Sequence, residues 1–418
     1  MLKKLILENW KSFRYAELPL DPLTVLIGTN ASGKSNVVEA LEFLQRIANG
    51  ENIETALAGD KTLSSIRGGV QCAARHGEKE FSLKVLIGSD DDDYLYNMKI
   101  QTLPDCQILQ EDIKSDLYYH EQGIYLKKFT LKTGHNNRSN LNNTGNSFSL
   151  SDLYDNNIRY NTNEGGNMVF NKEVKDIFLP AKKKVQEFVV SNLENILSIN
   201  PIPSTMRDYS RLSENLESDG SNIAGVLAAL PDDKKTEVEN TLSEYIKKLP
   251  EGDIKKVWAE PVTRFKTDAM LYCQEEWKPG EITEIDARSM SDGTLRFLAI
   301  LTALLTRPEG SQIVIEEIDN GLHPSRAALL VKILKEIGSK RNIDILLTTH
   351  NPALLDAFGS EIVPFVVVAH RDSETGESKL TLLEDIENLP LLLASGTLGR
   401  LATKGAIEKS LSNQNNQK

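Results

Sequence analysis

The segment Gly28-Thr29-Asn30-Ala31-Ser32-Gly33-Lys34-Ser35 constrains this chain more than any other. It fits the spacing G-x-x-x-x-G-K-[ST] and has the context that this spacing requires. Before it lies Leu23-Thr24-Val25-Leu26-Ile27, an apolar run of the kind buried in a parallel sheet. After it Val37, Val38, Leu41, Leu44 and Ile47 recur at helical spacing, with a stop at Gly50. A strand that feeds a glycine loop and then a helix turns several backbone N–H groups toward one point at a helix N-terminus, which is an anion site. Gly28 to Asn36 are therefore the expected phosphate cradle of a nucleotide. The Lys34 ammonium would reach the β- and γ-phosphates, and the Ser35 hydroxyl would take one position on Mg²⁺. A chance match on a glycine-rich turn is the plain alternative, and the flanking strand and helix disfavour it.

A phosphate cradle that hydrolyses its nucleotide needs carboxylates at a neighbouring strand end. Ile313-Val314-Ile315-Glu316-Glu317 supplies a buried strand ending in two. Glu316 is the candidate Mg²⁺ ligand, and Glu317 is the candidate base for a water in line with the γ-phosphate. Adjacent strand residues point to opposite faces, so the chain must turn after Ile315 for both to serve one site. His350 follows the apolar run Leu346-Leu347-Thr348-Thr349, and ligands in open α/β sheets lie at such strand ends. It can bond the γ-phosphate or position Glu317. Ser289-Met290-Ser291-Asp292-Gly293-Thr294-Leu295-Arg296 reads as a polar loop on a helix N-terminus. Locally that is an ordinary Ser/Asp cap.

The remaining sequence bounds the rest. The chain has 418 residues, 40% hydrophobic and 26% charged, with a net charge of −12. There is apolar material for a core, and no run approaches the 18 or so apolar residues of a membrane span. The start, Met1-Leu2-Lys3-Lys4-Leu5, lacks a signal peptide's apolar core, so a cytoplasmic protein is expected. The acidic balance is not that of a protein coated for nucleic acid. Cys72, Cys106 and Cys273 are widely spaced and read as buried free thiols. Strands are expected at 2–8, 81–87, 94–100, 312–315, 343–348 and 362–368. Helices are expected near 171–198, 221–249, 293–306 and 325–338. Asp90–Asp93 read as a solvated turn, the Asn-rich stretch 135–168 as a long loop, and the polar tail after about 408 as frayed.

Taken together, these four segments resemble the ATP-binding-cassette class of P-loop ATPases. The resemblance is to the soluble branch that holds RecF, the SMC proteins and the OLD-like AAA ATPases. "LILENWKSF" looks like that branch's opening strand. "GTNASGKSN" is similar to its Walker A, with Ala31 where many members carry Gly. "SMSDGTLR" is similar to its signature, with Asp292 in place of the second Gly of the transporter-type version. "IVIEEIDNGLHP" resembles its Walker B and D-loop, with Glu316 where many have Asp, and "LLTTHNPALL" its switch histidine. "LESDGSNIAGVL" resembles a segment common in these ATPases.

The resemblance implies an α/β fold, an ABC-type P-loop NTPase head made of a mixed sheet with flanking helices, carrying an inserted α+β and helical region. Residues 1–105 and 281–418 would form the two parts of the head and 106–280 the insertion. It implies ATP and Mg²⁺ as ligands, and a homodimer or higher homo-oligomer. In that dimer Ser291, Asp292 and Gly293 would meet the partner's nucleotide, and Asp319 to His323 would cross the interface. Lys11 would lie near the nucleotide, and Gln71 is the positional candidate for the Q-loop. Three roles are open. One is the sensor ATPase of a bacterial antiphage module with a separate nuclease or toxin as effector, since the 68 residues after His350 leave no room for a fused Toprim domain. Another is a RecF-like DNA repair ATPase, with Lys182–Lys184, Lys247-Lys248 and Lys255-Lys256 as nucleic-acid contacts. The third is a nucleotide-gated scaffold with little turnover.

Overall fold

A computed structural model describes residues 1–61, 63–88, 92–115, 172–262, 264–321 and 323–415, with short strands between 119 and 169. The chain forms two compact units. Residues 1–20, 39–196 and 377–379 make the first, and residues 21–38, 197–376 and 380–418 make the second. Apart from two short strands, the Asn-rich stretch 135–168 lies outside the described residues, as do Asp90 and Asp91 of the acidic run.

In the first unit, β1 (Leu2–Trp10) and β2 (Phe13–Pro19) form an antiparallel hairpin, with Lys11 in the left-handed region (φ 51°) at its turn. β3 (Leu23–Ile27) belongs to the second unit, as does the start of α1 (Lys34–Ala48), which enters the first at Glu39. After α2 (Ile53–Ala58) come β4 (Glu80–Gly88), β5 (Asp93–Gln101) and β6 (Gln107–Ser115). The short strands β7 to β11 are Tyr119–Glu121, Ile124–Leu126, Phe129–Lys132, Asn161–Thr162 and Met168–Val169. An antiparallel sheet runs in the order β2-β1-β4-β5-β6-β9. Trp10 at the end of β1 and Phe81 at the start of β4 pack with Phe43 of α1 as a buried trio, with ring centroids 4.9–6.1 Å apart. Burying each such ring contributes about 2–3 kcal/mol. Helix α3 (Lys172–Glu194) ends before β12 (Ile196–Ile199), so the helix expected to 198 gives way to a strand.

The second unit continues with β13 (Ser210–Arg211), α4 (Ile223–Ala229) and α5 (Asp232–Ile246). The sequence suggested one helical region here, but Pro231 divides it: Leu230 before it is extended (ψ 144°), as a residue preceding proline prefers. β14 (Ile254–Val262), β15 (Asp268–Lys278) and β16 (Glu281–Asp286) build an antiparallel sheet with β13. Helix α6 (Asp292–Thr306) is buried along nearly its whole length.

Next come β17 (Gln312–Ile315), α7 (Ala327–Lys340), β18 (Asp344–Thr348), α8 (Pro352–Phe358), β19 (Val366–Arg371) and β20 (Ser378–Leu382). β19 starts four residues later than expected, because Pro364 lies in a 3-10 turn over Ser360–Phe365. Helices α9 (Leu389–Ser395), α10 (Leu398–Thr403) and α11 (Ala406–Asn415) complete the chain. Leu411 of α11 is buried and the helix runs to Asn415, so the start of the tail expected to fray is helical; residues 416–418 lie outside the described residues.

The main sheet of this unit has the order β12-β17-β18-β3-β19-β20. β17, β18, β3 and β19 are parallel and in register, with Ile315 beside Leu347, Leu347 beside Val25, and Val25 beside Val366. Parallel strands in register leave the sheet at one edge, so the loops after β3, β17, β18 and β19 gather there. Cys106 and Cys273 are buried, which pushes their thiols up to about 11 and about 12. Cys72 is exposed, contrary to the sequence reading. Among the described residues no helix is long and apolar enough to cross a membrane.

Candidate nucleotide site

The loop after β3 is shaped by three positive φ angles: Gly28 at 145°, Ala31 at 61° and Gly33 at 110°. A Cβ on Gly28 would lie 2.1 Å from the Ala369 carbonyl oxygen of β19, so only glycine fits. The Gly33 carbonyl accepts from Asn36 N–H and Val37 N–H at 3.0 and 3.2 Å, which starts α1. Ser32 is buried, and among the described residues its hydroxyl has no hydrogen-bond partner. Thr29 and Asn30 are exposed at the loop's tip. Lys34 folds back: Nζ donates to the Gly28 and Thr29 carbonyls at 2.8 and 2.9 Å. Burial pushes this ammonium down to about 8, against the pull of Glu317, Glu316, Asp319 and Glu408. An incoming phosphate would replace carbonyls with a full negative charge. Arg371, at the end of β19, donates from Nε to the Ala31 carbonyl at 3.0 Å, a clip on the loop that the sequence did not suggest.

Across the strand edge, the Ser35 hydroxyl donates to Glu316 Oε1, although 281 residues separate them. A hydroxyl and a carboxylate are the hard oxygen donors that Mg²⁺ takes. No group of three or more His, Cys, Asp or Glu able to hold a metal occurs among the described residues. Glu317 is exposed and left-handed, φ 47°, and its N–H donates to Thr348 Oγ1 at 2.8 Å. This step ends the strand alternation and lets both carboxylates act on Lys34.

Asp319 ties the next loop in place. Its Oδ1 accepts from Thr349 Oγ1 at 2.6 Å and from His350 N–H at 3.4 Å. Partial burial, and then the Lys34 charge, lower the His350 imidazole below its usual 6.5, while Asp319 and Glu317 pull it up. A neutral ring at pH 7 offers one N–H and one lone pair. Asn351 caps α8 through Ala353 N–H at 2.9 Å.

Ser291 is the N-cap of α6: Oγ accepts from Thr294 N–H at 3.1 Å and donates to Thr294 Oγ1 at 2.8 Å. The plain cap reading thus holds as local structure, whatever else the loop does. Asp292 is ion-paired with Arg207 at 2.6 Å. A Cβ on Gly293 would lie 2.9 Å from Arg326 Nη1 and 3.0 Å from the Gly321 carbonyl oxygen, a close approach that a side chain there would crowd. In the first unit, Lys11 Nζ is ion-paired with Glu39 and donates to the Arg67 carbonyl at 2.9 Å, and Gln71 is exposed.

Over residues 23–356 the chain matches the family model described as "AAA domain, putative AbiEii toxin, Type IV TA system". The chain belongs to this family. It is an AAA/ABC-type P-loop NTPase domain, and membership implies nucleotide binding. Comparison with curated proteins gave no match. Among solved structures, the chain is similar to an SMC head bound to the C-terminal winged-helix domain of ScpA. The identity is 14% and the TM-score 0.50, over 91% of this chain and 97% of that one. It also matches an SMC head from Thermotoga maritima (13% identity, TM-score 0.43, 91% and 98% covered). A Pyrococcus furiosus SMC head bound to the C-terminal domain of ScpA matches at 14% identity and TM-score 0.46, with 94% and 99% covered. The fold is that of an ABC/SMC-type head, a mixed α/β sheet with flanking helices and an inserted helical region, as the sequence led one to expect.

Proposed function

We propose that the chain is an ATP-hydrolysing switch that closes and opens as a dimer. The Ser35–Glu316 hydrogen bond beside Lys34 carries this reading, because it joins the two segments that a phosphate and its Mg²⁺ would share. In the proposed reaction, Lys34 leaves the Gly28 and Thr29 carbonyls for the β- and γ-phosphates. Ser35 and Glu316 would hold Mg²⁺, which would supply positive charge against the phosphates. Glu317 takes a proton from water as its oxygen bonds to the γ-phosphorus. The bond to the bridging oxygen breaks, and its electron pair leaves with ADP. His350 bonds a γ-phosphate oxygen. Ser291 and Gly293 of a second copy complete the site, so ATP holds two copies together and hydrolysis releases them.

We assign this switch to the OLD/RecF-like branch and to the cytoplasm, as the sensor ATPase of a bacterial antiphage module with a separate nuclease or toxin effector. The toxin–antitoxin wording of the family description supports a two-component system. The region 171–280 and the residues after Gly321 are the proposed partner or nucleic-acid contacts. The SMC-head fold favours a second reading, an ATPase acting on DNA.

The test is ATP turnover and solution mass for wild type and Glu317→Gln, with and without ATP. Turnover by wild type and an ATP-trapped dimer or larger assembly of the variant are expected. If neither chain hydrolyses nor changes mass, the switch reading is refuted in favour of a scaffold. ATP-dependent DNA retention by the trapped variant would select the second role.

A further inference from the structure

Asp292 places a carboxylate in the first turn of α6, where a helix N-terminus favours negative charge. The same turn is proposed to meet the terminal phosphate of a nucleotide on a second copy, and two anions on one helix end repel. A helix N-terminus carries about +0.5 charge, so with Asp292 alone the turn is net negative. Arg207 reverses that sign. Its Nη2 donates to Asp292 Oδ1 at 2.6 Å and to the Met290 carbonyl at 2.9 Å. Among the described residues these are its hydrogen bonds. Nε–H and both Nη1–H groups remain unspent, on a side chain 28% exposed.

A second guanidinium lies under the same turn. Arg326 is 6% exposed, and Glu251 holds its Nε and Nη2 at 3.2 and 3.1 Å. Among the described residues its Nη1 has no partner, and it abuts Gly293. Two arginines with free donors around one capped helix end are suited to an anion with several oxygens, and a planar guanidinium fork matches phosphate in a way that lysine does not.

We propose that Arg207 is a catalytic residue of the composite site. Its free N–H edge contacts the terminal phosphate of ATP bound to a second copy, and Asp292 holds the guanidinium until that nucleotide arrives. This rests on the dimer reading above. It accounts for an acid at a position where the transporter-type signature has glycine: Asp292 and Arg207 work as a pair. Arg326 stays beneath and positions the Gly293 backbone.

The experiment measures turnover, ATP affinity and ATP-dependent mass for wild type, Arg207→Ala, Arg207→Lys and the double variant Arg207→Ala/Asp292→Gly. ATP affinity of the single chain should hold within about twofold, because the P-loop is untouched, while kcat falls on the order of 10²–10³-fold. Lysine should restore only part, and Asp292→Gly should not rescue. Mixing Arg207→Ala with Lys34→Ala, each inactive alone, should restore turnover, since one copy keeps the P-loop and the other the arginine. Wild-type turnover in Arg207→Ala, or in its Asp292→Gly double variant, would overturn the proposal by leaving Arg207 at most a neutraliser of Asp292. No recovery on mixing would overturn the contact in trans. If wild type neither associates with ATP nor hydrolyses it, the dimer reading itself falls and Arg207's role falls with it.

Discussion

Lys34 should make nucleotide binding a proton-uptake reaction. Burial lowers its ammonium from 10.5 to about 8, with only carbonyls as close partners. That drop corresponds to at most on the order of 3 kcal/mol of disfavoured charge. A terminal phosphate would restore the charge, so the protonated form is the one that binds. With the group half-ionised near 8, Mg·ATP affinity should be flat from pH 6.5 to 7.5 and about tenfold weaker at pH 9. An unperturbed lysine would leave affinity unchanged over that range. A calorimetric titration of wild type with a non-hydrolysable analogue, in buffers of different ionisation enthalpy, should record about half a proton taken up per nucleotide at pH 8. Glu317 is the largest charge supporting the ammonium, so Glu317→Gln should move the inflection to lower pH. Flat affinity to pH 9.5 with no proton uptake would refute the reasoning, because Lys34 would then be fully charged without phosphate.

Three other perturbations follow from single contacts. Ala31 sits at φ 61°, where an L side chain costs roughly 1 kcal/mol; Ala31→Gly should raise the melting temperature slightly and leave nucleotide contacts intact, and a loss of stability would contradict the strain. Asp319→Asn removes the charged acceptor from Thr349 and His350; turnover should fall on the order of tenfold to a hundredfold with ATP affinity kept, since the loop carrying His350 loses its tether while Lys34 and Ser35 do not. Asp344 is buried, one of its carboxylate oxygens has no partner, and burial raises it from 3.8 to about 6. The folded state therefore holds the extra proton between those values, and stability rises as pH falls through 6. Asp344→Asn should slow hydrogen exchange along β18 at pH 8, and the gain should vanish by about pH 4; a gain that persists there would point away from the buried charge.

What could be read from the sequence is what the local backbone demands. β3, β17 and β18 are buried on both faces, so they stand out as apolar runs, and the glycine spacing of the cradle reports the φ angles that the loop adopts. β14 to β16 were missed because charged residues dilute the apolar pattern: Lys255 and Lys256 lie in β14, Glu275 takes a buried position in β15, and β16 has no buried face. Pro231 and Pro364 moved boundaries that periodicity alone placed wrongly. The arginines and aspartate that clip the site have no local signal at all. Arg371 meets Ala31 across 340 residues, Arg207 meets Asp292 across 85, and Asp319 meets Thr349 across 30. Asp319, which the resemblance places in a loop that would cross the interface, also makes contacts within the chain. A residue that tethers Glu317's loop to His350's loop couples the proposed base to the proposed γ-phosphate sensor. Loss of the nucleotide's terminal phosphate could then be felt at both together, and a switch needs that coupling more than it needs either side chain alone.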